Sequence, residues 1–253
     1  MNVATLQLDN VGKRFGGLPA VDGLSLAVPP GAITGLIGPN GAGKTTVINL
    51  IMGILKLTSG RILFKGQDVS TLEAADLARV GIARTFQNIR LVAEGTVLDN
   101  VLSGLHVHQK TGFWANLLGL PTARAEQAAQ RDQAQALLRQ FGMAHLAEHR
   151  AGTLSYGHQR RIEMMRALAM KPQLLLLDEP VAGMNDTEAA ELGHIFSQVA
   201  ASGVAILLVE HNMRFVTQIC SQLYVSASGR LIAQGKPADV LADPVVIEAY
   251  LGS

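Results

Sequence analysis

The sequence is poor in cysteine, in aromatic residues and in unbalanced charge. Cys220 is the only cysteine among 253 residues, so no intrachain disulfide is possible, and no Cys/His cluster has the spacing of metal ligands. This usage is typical of a reducing cytosol. Aromatic residues make up 4%, and 21 basic residues face 20 acidic ones, with no basic block interleaved with aromatics. Because a nucleic-acid groove requires such a block, we expect no nucleic-acid partner.

Long hydrophobic runs are also absent. The longest, at residues 174–177 and 204–209, are far too short to cross a bilayer, and residues 1–10 lack an apolar signal core. We therefore expect a chain that neither crosses a membrane nor is exported by itself. With 48% hydrophobic residues, it is long enough to bury a full α/β core and a smaller subdomain.

Residues 38–46, Gly-Pro-Asn-Gly-Ala-Gly-Lys-Thr-Thr, match the spacing G-x-x-x-x-G-K-[ST] at every defined position. A short apolar run at 32–37 precedes them, and a helix with an apolar face follows at 46–52. This context favours a phosphate-binding loop over a glycine-rich turn with a coincidental lysine. Lys44 would reach the β- and γ-phosphates, the Thr45 hydroxyl would bind Mg²⁺, and Thr46 would support a neighbouring phosphate. The backbone of the loop would surround the anion, at Gly38, Asn40, Gly41, Ala42 and Gly43.

Two buried strands end in chemically useful side chains. The apolar run before Asp178 and Glu179 predicts a strand that delivers two carboxylates at its carboxyl end, where α/β sheets bind ligands. Asp178 fits a Mg²⁺-holding acid, and Glu179 is placed to polarise a water for attack on the γ-phosphate. A second such strand precedes His211, which could contact the same phosphate. Asp186 opens a helix, either as its N-cap or in a functional role.

Three further positions are open to two interpretations each. Phe15, among polar residues and glycines, either stacks on a base or caps the core of a β-subdomain formed by alternating strands near residues 6–11, 24–28 and 61–66. Gln87 follows a strand predicted at 81–86, as a sensor of Mg²⁺ or water or as a solvated loop residue. The loop holding Phe113 and Trp114 is anchored on neighbouring helices or docks a partner, and the first interpretation is favoured.

A second anion site is predicted near residue 155. Ser155 is positioned as an N-cap, and the backbone around Gly157 opens a strong helix that continues through 162–170. This site follows a region without strands, from 89 to about 152, in which 97–105 and 123–141 have helical periodicity. The sequence therefore predicts a helical insertion in an α/β core. His158 alone indicates no more than a surface histidine.

Together these motifs resemble the ATP-binding subunits of ABC transporters over nearly the whole chain. Phe15 matches the adenine-stacking aromatic, residues 38–45 the Walker A motif, and Gln87 the Q-loop. Residues 154–158 match the signature motif, although LSYGH replaces LSGGQ, and residues 174–179 match Walker B with its catalytic glutamate. Asp186 matches the D-loop and His211 the switch histidine. The segments at 13–18, 84–87, 156–161 and 249–252 are similar to the ATPases of branched-chain amino acid importers.

The resemblance implies an α/β fold: a P-loop NTPase (RecA-like) core, an N-terminal antiparallel β-subdomain and an inserted α-helical signature subdomain. All of 1–253 would be one nucleotide-binding domain, with the core at 1–87 and 166–253 and the helical subdomain at 88–165. The cofactors would be ATP and Mg²⁺, the ion held by Thr45, Gln87 and Asp178. Glu179, His211 and Gln87 would be catalytic, and Ser155, Gly157 and Asp186 would act in trans.

The implied function is ATP hydrolysis that drives import through separate membrane permease subunits at the cytoplasmic face of the inner membrane. A second ATPase, identical or homologous, would complete a head-to-tail dimer, and an extracytoplasmic substrate-binding protein would act indirectly. Alternatives are the ATPase of a urea or related amide importer, that of a lipopolysaccharide exporter, and a non-transport ABC ATPase serving DNA repair or translation. The near-zero net charge and the lack of a coiled-coil insertion count against the last.

Overall fold

The computed structural model describes residues 3–85, 90–108, 111 and 120–251. These residues form two compact units, one of Met1–Arg84 with Gln173–Ser253 and one of Thr85–Pro172. The helical subdomain predicted at 88–165 falls within the second of these ranges.

The strands of the described residues are β1 (Leu6–Phe15), β2 (Leu18–Val28), β3 (Ile33–Ile37), β4 (Ser59–Phe64), β5 (Gln67–Asp68), β6 (Ile82–Arg84), β7 (Leu174–Asp178), β8 (Ala205–Val209), β9 (Gln222–Ala227) and β10 (Arg230–Gly235). Their helices are α1 (Lys44–Ile51), α2 (Ala74–Val80), α3 (Val97–Leu105), α4 (Pro121–Gln140), α5 (Tyr156–Ala169), α6 (Asp186–Ala201), α7 (Met213–Ile219), α8 (Pro237–Leu241) and α9 (Pro244–Leu251). Among these described helices, none combines the length and the apolar character needed to span a bilayer.

The first unit contains a small antiparallel sheet in the order β2-β1-β4-β5. Leu6 pairs with Val28 on one side and with Phe64 on the other, and Leu8 lies between Leu26 and Ile62. These apolar side chains are buried because alternate residues of a strand point to the same face. The antiparallel β-subdomain predicted from this alternation is confirmed.

The second sheet of this unit has the order β10-β9-β3-β8-β7-β6, and its strands run parallel except for β10. Every residue of β3, β7 and β8 is buried, as expected for strands covered on both faces. Parallel strands end at the same edge, so the segments that follow β3, β7 and β8 meet there. The predicted α/β core is confirmed, although its strand predicted at 81–86 spans only Ile82–Arg84.

The second unit is helical in its described part. Thr96 and Asp99 form a capping box that begins α3, and the backbone of α3 packs closely on α5. A Cβ on Gly104 would lie 2.2 Å from the carbonyl oxygen of Arg166, so only glycine permits this approach. The predicted helix at 123–141 begins earlier, at Pro121, because proline is well suited to the first position of a helix.

Candidate active site

The loop between β3 and α1 is shaped by contacts from outside it. The Ser226 hydroxyl of β9 donates to the Ala42 carbonyl at 2.6 Å. A Cβ on Gly38 would lie 2.0 Å from the Ser226 carbonyl oxygen, and one on Gly43, at φ 88°, would lie 2.4 Å from that of Ala20. Both positions therefore exclude a side chain, and at these two glycines the loop presents only its backbone.

The loop ends at the N-terminus of α1. Gly43 is the N-cap, no side chain of the described residues caps it, and the first helical bond runs from the Val47 N–H to the Gly43 carbonyl at 2.9 Å. The N–H groups of Lys44, Thr45 and Thr46 thus have no partner within the helix, because the first turn of a helix offers none. A cradle of this kind fits a phosphate group.

Lys44 places a buried ammonium beside this cradle. Its Nζ donates to the carbonyls of Gly38 at 2.6 Å and Pro39 at 2.9 Å. Burial lowers the pKa of Lys44, while the nearby carboxylates of Glu179 and Asp178 act to raise it. Both acceptors are neutral carbonyls, so a phosphate oxygen would be a stronger acceptor for the same group.

Asp178, the last residue of β7, faces a buried cation. The Nη2 atom of Arg84 lies 3.2 Å from Oδ2 of Asp178, and Nη1 of Arg84 donates to Oδ1 of Asn49 at 2.6 Å. Both side chains of the ion pair are almost fully buried. Mg²⁺ prefers oxygen ligands, and the Asp178 carboxylate and the exposed Thr45 hydroxyl at the start of α1 are of that type, so these donors fit the ion.

Glu179 has an uncommon backbone conformation. Its φ is +49°, in the left-handed region, and it precedes Pro180, where the helical regions are disfavoured. The Glu179 N–H donates to the Val209 carbonyl at 2.9 Å, which links the ends of β7 and β8. Its Oε1 atom lies 3.6 Å from Nδ1 of His211, which lies two residues after the end of β8. The backbone thus holds the carboxylate beside the imidazole, as expected of a strained functional position.

Glu210 is a component of this edge that the sequence reasoning missed. Its carboxylate is buried and accepts the N–H groups of Val181, His211 and Asn212. Burial raises the pKa of Glu210, against the opposing effect of these N–H groups. The available signal was a charged residue placed directly after a strand that is buried on both faces.

Phe15 lies at the end of β1 with its side chain about half exposed, and the Lys13 ammonium lies 5.1 Å from the centroid of its ring. The ring therefore does not fill the core of the β-subdomain, and it presents a face on which a base could stack.

In the second unit, Ser155 is the N-cap of α5, as predicted. Its Oγ atom lies 3.0 Å from Nδ1 of His158, and Gly157 lies in the first turn of the helix. His158 is thus more than a solvated surface residue, because it contacts the signature serine.

The N-cap interpretation of Asp186 is wrong. Asn185 caps α6 and forms a capping box with Glu188, so Asp186 is the first helical residue. Its carboxylate pairs with Arg214 of α7 at 2.7 Å. Asparagine is as good a cap as aspartate, and the helix therefore begins one residue earlier than the N-cap prediction for Asp186 required. Gln87, Phe113 and Trp114 lie outside the described residues.

A family model described as ABC transporter matches residues 21–182. The chain belongs to the ABC transporter ATP-binding family. A second model, described as Branched-chain amino acid ATP-binding cassette transporter, matches residues 230–253 of this ABC ATPase. The high-affinity branched-chain amino acid transport ATP-binding protein LivG of Escherichia coli (strain K12) is 41% identical over 253 residues, which are 100% of this chain and 99% of LivG.

Two further relatives support the family and the fold. The lipopolysaccharide export system ATP-binding protein LptB of the same strain is 35% identical over 250 residues, which are 99% of this chain and 98% of LptB. A crystal structure of an ATP-binding cassette of an ABC transporter in its ADP conformation has a TM-score of 0.86 and 35% identity, and covers 99% of each chain. The ABC ATPase is therefore an enzyme that binds and hydrolyses ATP.

Proposed function

We propose that this ABC ATPase drives the import of branched-chain amino acids through separate membrane permeases. The observation that carries the proposal is the 41% identity to LivG over the full chain. The match of the branched-chain family model to residues 230–253 supports this cargo over the lipid cargo named for LptB and over urea or amides.

In this proposal the phosphates of ATP bind the backbone cradle that begins α1. The N–H groups of residues 38 and 40–46 surround the β-phosphate, and Lys44 exchanges its two carbonyl acceptors for phosphate oxygens. Phe15 stacks on the adenine. Thr45, Asp178 and Gln87 would hold Mg²⁺, which when bound supplies charge neutralisation to the phosphates.

Hydrolysis then depends on the edge formed by β7 and β8. Glu179 orients and polarises the water that attacks the γ-phosphate, and Gln87 senses the same site. His211, 3.6 Å from Glu179 between Nδ1 and Oε1, contacts the γ-phosphate and stabilises its developing charge.

The signature residues would complete this site across two chains. Ser155, Gly157 and Asp186 act in trans, so ATP lies between the Walker A loop of one subunit and α5 of an identical or homologous partner. The helical unit Thr85–Pro172 would be the signature subdomain of the nucleotide-binding domain. The dimer would bind permeases at the cytoplasmic face of the inner membrane and respond through them to an extracytoplasmic substrate-binding protein.

The cargo is tested by reconstituting the ATPase with its permeases and binding protein in liposomes. Leucine, isoleucine or valine should stimulate ATP hydrolysis and accumulate inside, whereas urea should do neither. Stimulation by urea or by lipopolysaccharide alone would contradict the proposal.

The shared site is tested by mixing two variants of the same ATPase, Ser155→Arg and Glu179→Gln. Each alone should be inactive, because every site in its dimer is damaged. In the mixed dimer, one site combines the intact Walker residues of the first chain with the intact signature of the second, and turnover should return to as much as about half of wild type. A mixture without activity would place Ser155 in cis.

A further inference from the structure

Glu210 is a buried carboxylate to which the proposed reaction gives no part. It follows β8 directly, and its side chain is 0% exposed. Oε1 accepts the Val181 N–H at 3.1 Å, and Oε2 accepts the N–H groups of His211 at 3.0 Å and Asn212 at 3.3 Å. One side chain therefore joins two loops that follow neighbouring parallel strands.

Each of these loops carries a group that the proposed reaction requires. Val181 lies two residues after Glu179, and His211 is the residue next to Glu210. The two oxygens of a carboxylate are a fixed distance apart, so the hydrogen bonds to both of them set the separation of the loops. The distance of 3.6 Å between Glu179 Oε1 and His211 Nδ1 is held by this connection together with the bond from the Glu179 N–H to the Val209 carbonyl.

A neutral side chain could not make the same connection. Glutamine has one acceptor oxygen, and its NH₂ group would face an N–H donor of one of the two loops. Burial of a carboxylate nevertheless costs free energy, and three backbone N–H groups that donate to Glu210 compensate this cost. The presence of a carboxylate at this position is explained if one side chain has to fix the loop after β7 and the loop after β8 at the same time.

We propose that Glu210 is a positioning residue for ATP hydrolysis, which holds Glu179 and His211 in register without contacting the nucleotide. The inference rests on the roles proposed above for Glu179 and His211. A misplacement of about 1 Å at a reacting group can cost about 10² in rate, so the loss of one loop contact should affect turnover far more than binding.

The test compares Glu210→Gln with Tyr224→Phe in the assembled transporter. The Tyr224 hydroxyl is a matched control, because it also accepts a backbone N–H, that of Ala27 at 3.1 Å, away from the two loops. We expect Glu210→Gln to lower kcat by about 10- to 100-fold and to leave the Kd for ATP within about threefold. Tyr224→Phe should lower the thermal midpoint by about as much as Glu210→Gln does, but it should leave kcat unchanged.

Coupling to the catalytic groups is measured by repeating Glu210→Gln in a His211→Ala background. Because Glu210 acts through that residue, its effect on kcat should be smaller there than in the wild type. If Glu210→Gln does not fold, Glu210→Asp takes its place, since a side chain shortened by one methylene keeps both oxygens but reaches only one loop.

Three outcomes would overturn the inference: kcat within twofold of wild type, equal losses in kcat and ATP affinity, or an unchanged effect in the His211→Ala background. Glu179→Gln is measured in parallel. If that variant keeps its turnover, the proposed catalytic carboxylate is wrong; if it is inactive while Glu210→Gln is normal, only the positioning role fails.

Discussion

Replacing Arg84 by methionine should destabilise the fold, because it leaves the Asp178 carboxylate buried without its guanidinium partner. The ion pair has side-chain exposures of 7% for Arg84 and 2% for Asp178, which place it in the protein interior. Breaking a buried pair typically costs about 3–5 kcal/mol. Lys44 lies near enough to Asp178 to compensate part of the lost charge, so the lower end of this range, about 3 kcal/mol, is expected.

The measurement is the urea midpoint and the thermal midpoint of the isolated chain without nucleotide. For a chain of this size 1 kcal/mol corresponds to about 2–4 °C, so Arg84→Met should lower the thermal midpoint by about 6–12 °C. The double variant Arg84→Met with Asp178→Asn should recover more than half of the loss, because it removes the buried carboxylate charge that Arg84 compensates in the wild type.

The exposed pair of Arg230 and Asp22 supplies the control. Its closest contact, 2.6 Å, is shorter than that of the buried pair, but its side chains are 71% and 37% exposed. Arg230→Met should therefore cost no more than about 1 kcal/mol. If Arg84→Met proves no more destabilising than Arg230→Met, burial does not control the strength of these pairs and the reasoning fails.

Four other predictions concern single side chains. Lys44→Ala should weaken ATP binding, whereas Glu179→Gln should keep ATP binding and lower turnover of the assembled complex by about 10²–10⁴. ATP binding is titrated in parallel, and near-normal turnover of Glu179→Gln would show that Glu179 is not the general base. His211→Ala should reduce kcat more than ATP affinity, because a γ-phosphate contact strengthens in the transition state, and equal losses would indicate a packing role. Burial raises the pKa of the Cys220 thiol to about 12, so this thiol should resist Ellman's reagent at neutral pH until the chain is unfolded. Rapid labelling of the native protein would contradict the burial of Cys220.

The parts of the fold that could be predicted are those with local periodicity. Continuous apolar runs placed β3, β7 and β8 to within a residue, because strands covered on both faces have no polar side. The spacing of glycines and Lys44 predicted a loop followed by a helix, because the loop depends on backbone shape, but α1 begins at Lys44, two residues before the predicted start at 46. The C-terminal elements β9, β10 and α9 were not predicted. The residues of β10 and α9 are mostly half-buried or exposed and have weak periodicity, and the apolar run of the buried strand β9 is short, at 223–225.

The parts of the site that could not be predicted depend on contacts between distant residues. Arg84 and Asp178 are 94 positions apart, and Glu210 and Val181 are 29 apart. Neither pair has a sequence spacing that signals it, because their proximity follows from the order of strands in the sheet. The assignment of the cap to Asp186 failed differently, since two adjacent residues with equal capping ability, Asn185 and Asp186, cannot be distinguished by propensity.

The three carboxylates at this edge of the sheet differ in what compensates their charge, and this difference separates their roles. Asp178 is buried against a guanidinium, and Glu210 is buried against backbone N–H groups. The Glu179 side chain is 27% exposed, whereas those of Asp178 and Glu210 are 2% and 0% exposed. A general base has to reach a water molecule, and among these three only Glu179 is open to one. The buried Asp178 is suited instead to holding an ion, and the buried Glu210 to holding the backbone in place. The environments of the three acids therefore support the same roles as the sequence motifs, with Glu179 as the general base.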